Sequence, residues 1–160
     1  MTARPERDTF DDVPLSALLR VSRGTYRQAI QRAQRRIGCD DIPSMGEYLL
    51  SAMEWSGASL EAVIGWLGVS KQAVSQAVDT LVVRGYLERS QDPSDRRRVK
   101  LSLTARGHAA GRAARTAIEE VDRKLRARVG PRKIAQARSV LVALLEIKNE
   151  GRDPGGDAGG

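Results

Sequence analysis

Apolar residues recur along this chain mostly with the period of an α-helix. From Pro14 to Gly38, apolar or small residues fall every three or four positions, which predicts one helix of about 25 residues and about 40 Å. A second helix is expected from Ser44 to Trp55, with Ser44 as its N-cap and Glu47 completing a capping box. Its inward side is predicted to carry Leu49, Leu50 and Met53. Because the first helix is too long for a domain of this size to cover, we expect a partner subunit.

Two shorter helices with a tight joint follow. They are predicted over residues 59–67 and 71–84, with Gly68 free to take a positive φ at the joint and Ser70 able to cap the second helix. So short a turn between helices indicates a helix-turn-helix, whose second helix enters the major groove of DNA. The outward positions of that second helix hold short, polar side chains that suit base edges and phosphates, namely Lys71, Gln72, Ser75, Gln76 and Asp79. A plain helical hairpin is the alternative.

The pattern then changes to that of a β-hairpin. Residues 86–89 predict a short strand, residues 99–103 alternate apolar and polar side chains, and the Asp92-Pro93-Ser94-Asp95 run between them is typical of a turn. The loop continues into three consecutive arginines, Arg96, Arg97 and Arg98. Arginine side chains enter the narrow, electronegative minor groove in many protein–DNA complexes. A solvated run of charge is the alternative, and the helix just before the hairpin makes it the weaker one.

Two long helices complete the pattern. Thr104 is expected to cap a helix that runs to about Val129, and the Gly130-Pro131 break is expected to start a last helix that runs to about Asn149. The inward side of the first of these helices is predicted to carry four alanines and two larger apolar residues, namely Ala110, Ala113, Ala114, Ala117, Val121 and Leu125. Residues 1–12 are predicted to form a mobile arm, and the glycine-rich residues 150–160 a disordered tail.

Composition and charge narrow the class of protein. The chain has 160 residues, enough for one domain, and its 27 Lys and Arg against 20 Asp and Glu give a net charge of +7. Such a balance indicates either a polyanionic partner, such as nucleic acid, or a merely solvated basic surface. The apolar runs are too short for a transmembrane helix and the N-terminus lacks the pattern of a secretory signal, so the cytoplasm is the expected compartment.

The inventory of reactive side chains is small. One cysteine and one histidine provide neither a zinc site nor a disulfide framework. The chain shows no nucleophile–base pair, metal-ligand cluster or phosphate-binding loop in its sequence. We therefore expect neither an enzyme nor a bound cofactor.

Several segments carry a resemblance to a known family. Residues 67–76 together with 81–89 resemble the helix-turn-helix core of the MarR family. The run 92–98, followed by Leu101-Ser102-Leu103-Thr104-Ala105-Arg106-Gly107, is similar to that family's wing and to the helix start behind it. The combination of the wing with Leu-Thr-x-x-Gly is the more specific part of the resemblance, which extends over residues 13–149.

The resemblance implies a fold and a function. The fold is all-α with a small β-hairpin wing, in a single domain whose winged helix-turn-helix core (42–103) is flanked by long dimerisation helices (13–38 and 104–149). The function is that of a homodimeric, sequence-specific DNA-binding transcriptional regulator. Such regulators are usually repressors that bind a pseudo-palindromic operator in double-stranded DNA and are relieved by a small-molecule ligand.

Positions that match the family motif are the expected DNA contacts. In the major groove these are Ser70, Lys71, Gln72, Ser75 and Gln76. In the wing, Arg97 is expected to enter the minor groove, with Asp95 orienting its guanidinium. The neighbouring Arg96 or Arg98 is expected to bind phosphates. Many members have arginine where this chain has Gln76, and because glutamine pairs with adenine N6 and N7, the departure implies an altered sequence preference rather than lost binding.

The resemblance also implies a part of the chain that binds a ligand. Family members often hold a small anionic or aromatic ligand between the dimer helices and the winged core, and Tyr26, Tyr48 and Trp55 are the candidates for lining such a crevice. For each of them, an ordinary place in the core or on the surface is the preferred interpretation. Cys39 lies beside two aspartates with no second cysteine to pair with, which favours an inert thiol over a redox sensor. His108 has no carboxylate or cysteine near it in sequence, which favours packing over metal binding.

Two other functions compete with a sequence-specific regulator. An architectural or nucleoid protein would coat DNA through charge and shape. Residues 13–38 favour this function, because they contain six arginines and no acidic residue. The amide-rich outward face of residues 71–84 argues against it. A protein-interaction module would use the winged scaffold without DNA. That module would keep its main binding activity when Arg97 is lost.

Overall fold

The computed structural model describes residues 10–56, 71–91 and 99–150. Within these ranges the chain forms five helices and two strands, in the order α1 (Leu15–Arg35), α2 (Ser44–Ser56), α3 (Lys71–Val83), β1 (Leu87–Gln91), β2 (Val99–Leu103), α4 (Ala105–Val129) and α5 (Pro131–Glu150). The two strands pair antiparallel in one hairpin. The all-α class with a small β-hairpin is therefore confirmed. The predicted helix over 59–67, its joint to α3, the wing loop and the C-terminal tail lie outside the described residues.

The chain divides into two compact units, Met1–Val121 and Asp122–Gly160. In the first, the hydrophobic core is formed by the faces that the helical spacing predicted. α2 contributes Leu49, Leu50 and Met53, as expected. From α3, the hairpin and α4 come Val74, Ala77, Val78, Leu81, Tyr86, Leu87 and Ala110.

α1 is only partly covered by the rest of its unit. Ile30 and Gln34 are buried, whereas Leu15 is 50% exposed and Leu19 is exposed as well. The helix is shorter than predicted, because the chain turns over residues 36–38 and Gly38 takes a φ of 71°. The apolar stripe predicted from Pro14 to Gly38 therefore extends well beyond the surface that this chain covers.

The second unit contains the end of α4 and the whole of α5. Gly130, with a φ of 79°, makes the break between them, and Pro131 starts α5 as predicted. Leu125, predicted to face inward, is 41% exposed, so that expectation is wrong for the single chain. α5 also exposes a set of large apolar residues, namely Val140, Leu141, Val142, Leu144, Leu145 and Ile147.

The start of α2 differs from the predicted capping box. Ser44 is already the first helical residue, and the N–H of Glu47 donates to the carbonyl of Pro43 at 3.1 Å. The Ser44 hydroxyl instead accepts a hydrogen bond from the guanidinium of Arg27 at 2.5 Å. The capping box is therefore wrong, because contacts with α1 compete for both of its side chains.

None of the helices in the described ranges is long and apolar enough to cross a membrane.

Candidate nucleic-acid interface

α3 has one buried face and one polar face. Val74, Ala77, Val78 and Leu81 fix the helix in the core. On the opposite face Gln72, Ser75 and Gln76 are exposed, as predicted for residues that meet the major groove. Lys71 begins the helix, while Ser70 lies outside the described residues. The structure thus brings three of the five predicted major-groove side chains to one accessible surface.

Asp79, on the same outward face, is engaged with the hairpin. Its carboxylate accepts a short hydrogen bond and ion pair from Arg89 on β1. The pair links the C-terminal half of α3 to the first strand of the wing. Asp79 therefore helps to hold α3 against the hairpin, a role that its position in the sequence did not predict.

A glycine turn sets the direction of β1 after α3. Gly85 has a φ of 71°, which an L side chain rarely adopts, and the N–H of Tyr86 donates to the carbonyl of Leu81 at 2.8 Å. β1 begins one residue later than predicted, because the N–H of Tyr86 is bonded to α3 and not to the opposite strand. The strands then pair from Leu87 opposite Leu103 to Gln91 opposite Val99. Between that last pair come the predicted wing residues Asp95, Arg96, Arg97 and Arg98, which lie outside the described residues.

The Leu-Thr-x-x-Gly sequence joins the hairpin to α4. Thr104 caps α4 as predicted, accepting the N–H of Gly107 at 3.0 Å, and its hydroxyl donates to the carbonyl of Gly85 at 2.6 Å. Gly107 lies against the backbone of Tyr86, where an added Cβ would be 2.0 Å from the carbonyl oxygen. Threonine and glycine are therefore both required by the approach of α4 to the turn before β1.

A cluster of three polar side chains supports the same turn. The hydroxyl of Tyr86 donates a short hydrogen bond to Asp41, and Arg106 lies 3.1 Å from the Asp41 carboxylate and 4.3 Å above the Tyr86 ring. Arg106 also donates to the carbonyl of Arg84 at 2.8 Å. The hydrogen bond from Tyr86 lowers the pKa of Asp41, and the charge of Arg106 lowers it further. Burial raises the pKa of Tyr86, so the phenol stays protonated as the donor.

Two of the three ligand candidates, Tyr48 and Trp55, have separate arginine partners. Arg23 of α1 donates to the hydroxyl of Tyr48 at 2.8 Å and lies 5.0 Å from its ring. Trp55 is 51% exposed, and Arg115 of α4 lies 5.7 Å from its ring. Tyr26 is half-buried on α1. A ligand role for these three aromatic residues stays a prediction.

A polar cavity of about 40 Å³ lies elsewhere in the first unit. It is lined by Gln31, Gln34, Arg35, Cys39, Asp40, Ile42 and Glu47, and by none of the three aromatic candidates. Oε1 of Glu47 accepts from Gln31 at 2.9 Å, whereas its buried Oε2 has no hydrogen-bond donor and lies 4.0 Å from Arg27. Burial raises the pKa of Glu47.

No group of three or more His, Cys, Asp or Glu in the described part of the chain is placed to hold a metal ion.

His108 is not a packing residue. Its Nδ1 lies 2.6 Å from Oε2 of Glu54 on α2, and about half of its side chain is exposed. Arg112, one turn further along α4, lies 3.8 Å from Oε1 of the same carboxylate. The predicted packing role is wrong, because folding brings a carboxylate 54 residues away in sequence to the histidine.

Comparison of the sequence with known proteins points to a family. A model of the MarR family matches residues 66–98. The uncharacterized HTH-type transcriptional regulator YdcH of Bacillus subtilis is 33% identical over 104 residues, which cover 59% of this chain and 71% of that protein.

Solved structures share the fold. The MepR–DNA complex of S. aureus has a TM-score of 0.67 at 19% identity and covers 84% of this chain and 98% of MepR. The transcriptional repressor CouR bound to a 23-mer DNA duplex has a TM-score of 0.64 at 18% identity and covers 89% of this chain and 99% of CouR. These likenesses establish a winged-helix fold. The family is shown by the 33% identity with YdcH over 71% of that protein, together with the family model over residues 66–98: the chain belongs to the MarR family of transcriptional regulators.

Proposed function

We propose that this protein is a homodimeric, sequence-specific DNA-binding regulator, with α3 in the major groove and the arginine wing in the minor groove. One observation carries the proposal: α3 is held in the core by its apolar face and leaves Gln72, Ser75 and Gln76 exposed on the other. Amide and hydroxyl side chains on a rigid helix are suited to base edges. Arg97, oriented by Asp95, supplies the minor-groove contact, while Ser70 and Lys71 complete the set at the start of α3.

The dimer is supported by apolar surface that the single chain leaves uncovered. α1 exposes Leu15 and Leu19, and α5 exposes six large apolar residues over 140–147. Exposed apolar surface on this scale is typical of a subunit interface. A second copy of the chain fits best, because a pseudo-palindromic site requires two recognition helices related by symmetry.

Repression relieved by a small ligand is the regulatory mode that the family favours. A cytoplasmic location is part of the same proposal, because a regulator of transcription must reach the DNA. One structural neighbour, CouR, is a transcriptional repressor whose structure contains a DNA duplex. For the ligand, the pairing of Arg23 with the Tyr48 hydroxyl provides a cation and a phenol suited to an anionic or aromatic molecule. Tyr26 and Trp55 are the further candidates.

Selection of bound DNA from a random pool at about 150 mM salt tests the function, since weak, charge-driven binding fades there. We expect enrichment of a pseudo-palindrome whose half-sites lie about one helical turn apart. Binding without enrichment, falling steeply as salt rises, would instead support the architectural function. Against that alternative, two of the six arginines of residues 13–38, Arg23 and Arg27, donate hydrogen bonds to side chains of α2.

Gln76→Ala is expected to relax base preference at one position in each half-site. The amide reads adenine N6 and N7, so its loss should cost about 1–3 kcal/mol of discrimination there. Competition between the selected operator and single-base variants measures the effect. Gln28→Ala, which removes an exposed glutamine of α1, is the matched control and should leave preference unchanged. Equal weakening for all sequences would mean that Gln76 does not read bases.

A further inference from the structure

The polar cavity between α1 and α2 is lined by a buried carboxylate that lacks a hydrogen-bond donor. Its lining residues come from the second half of α1, from the segment that joins α1 to α2, and from Glu47 of α2. The side chain of Glu47 is only 3% exposed. In the described part of the chain, its Oε2 is the one buried side-chain nitrogen or oxygen atom without a partner. Such an atom is costly, because burial has removed its hydrogen bonds to water.

The neighbours of Glu47 satisfy one oxygen of the carboxylate and not the other. Gln31 donates to Oε1 at 2.9 Å. Arg27 brings its Nε to 4.0 Å from Oε2, which is beyond hydrogen-bond distance, and donates to the Ser44 hydroxyl instead. Because the last torsion of a glutamate side chain is soft, the carboxylate can turn Oε2 toward a donor in the cavity.

The charge and size of the cavity define the group that would supply this donor. Among the described residues that line it, Glu47 and Asp40 are carboxylates and Arg35 is the one cation. A cation with N–H groups therefore provides both the missing hydrogen bond and a counter-charge, whereas water provides the hydrogen bond alone. The volume of about 40 Å³ corresponds to about three water molecules, which is enough for a small polyatomic ion.

We propose that this cavity binds a guanidinium group of a small molecule through the carboxylates of Glu47 and Asp40. Guanidinium fits better than ammonium, because it is more weakly hydrated and its planar donors bind carboxylates in pairs. Ca²⁺ and Mg²⁺ fit less well, because they require about six or more oxygen ligands in a defined geometry. The site differs in chemistry from the pair of Arg23 and Tyr48, which suits an anionic or aromatic molecule. It does not depend on the DNA binding proposed above.

Titration of the full-length, isotope-labelled protein with guanidinium chloride at constant ionic strength tests the site. The side-chain amide NMR signals of Gln31 and Gln34, which both line the cavity, report on its occupancy. We expect saturable shifts of these signals with a Kd of about 0.1–10 mM, since an ion of so few atoms has limited affinity. Urea has the same planar shape without the charge, and should bind at least about tenfold more weakly.

Substitutions of single carboxylates locate the binding. Glu47→Gln keeps the size of the side chain and removes its charge, and should raise the Kd for guanidinium at least about tenfold. Glu54→Gln is the matched control, because Glu54 is another largely buried carboxylate of α2 and is not among the lining residues. It should change the Kd by less than about twofold. Asp40→Asn alters an exposed side chain and should raise the Kd about two- to fivefold, which provides a test even if Glu47→Gln does not fold.

Four results would overturn the proposal. Absence of saturable shifts in the wild-type protein would mean that the cavity holds water only. Equal affinity for urea would mean that charge is not recognised. An equal loss in Glu54→Gln, or an unchanged Kd in both Glu47→Gln and Asp40→Asn, would place the ion elsewhere on the protein.

Discussion

Gly107→Ala is expected to lower the free energy of unfolding by about 3 kcal/mol and the melting temperature by about 10 °C. The new Cβ would lie 2.0 Å from the carbonyl oxygen of Tyr86 and 3.1 Å from the side chain of Leu103. The first distance is far below van der Waals contact and involves backbone, so α4 or the turn before β1 must move. Such a movement also stretches the hydrogen bonds of Thr104 that hold both elements. Thermal and urea unfolding followed by circular dichroism measure the loss.

Gly24→Ala is the matched control for this substitution. Gly24 lies inside α1 with no atom within 4 Å of the position that a Cβ would take. Because alanine is the better helix former, the control should raise stability by up to about 1 kcal/mol. A Gly107→Ala protein as stable as wild type would show that the close approach of α4 to Tyr86 is not part of the native structure.

Arg97→Ala is expected to weaken operator binding by about 2–3 kcal/mol, a rise in Kd of about 30- to 160-fold. The substitution removes a guanidinium from the minor groove together with the counterion release that it drives. Fluorescence anisotropy with the selected operator at about 150 mM salt measures the change. Melting temperatures should remain within about 2 °C of wild type, because the wing is expected to serve binding rather than the core.

The neighbouring arginine separates groove insertion from general charge. Arg98→Ala removes the same charge next to Arg97 and should cost about 1 kcal/mol, equally for operator and random duplex. If the two variants lose the same affinity, the wing acts only through charge. Unchanged affinity in Arg97→Ala would contradict the assignment of the wing to DNA and would favour a protein-interaction module.

Local patterns predicted the elements with strong periodicity or clear end signals. β2 was expected over residues 99–103 and α4 up to Val129, and both bounds are confirmed. In β2 the alternation of side chains is complete, and α4 has a threonine cap at one end and a glycine break at the other. The exposed face of α3 was likewise predictable, because its apolar residues recur at helical spacing.

Contacts between distant segments were not predictable in this way. Asp41 and Tyr86 are 45 residues apart, and Glu54 and His108 are 54 apart, yet each pair is hydrogen-bonded. Glu47 illustrates the limit most clearly. Its spacing from Ser44 satisfied a capping rule, but packing of α1 turned it toward Gln31 and buried it. A rule based on neighbours in sequence takes no account of such competition.

The class of the fold, the polar face of α3 and the family resemblance could all be predicted from the sequence, since they depend on periodicity and on motifs of adjacent residues. The contacts that hold α3 to the hairpin became visible only in the folded chain. There Asp79 meets Arg89, Thr104 and Gly107 fit against the turn at Gly85, and Arg106 joins Tyr86 to Asp41. The physical reason is that hydrogen bonds and close packing depend on distances in space, which folding sets between residues far apart along the chain.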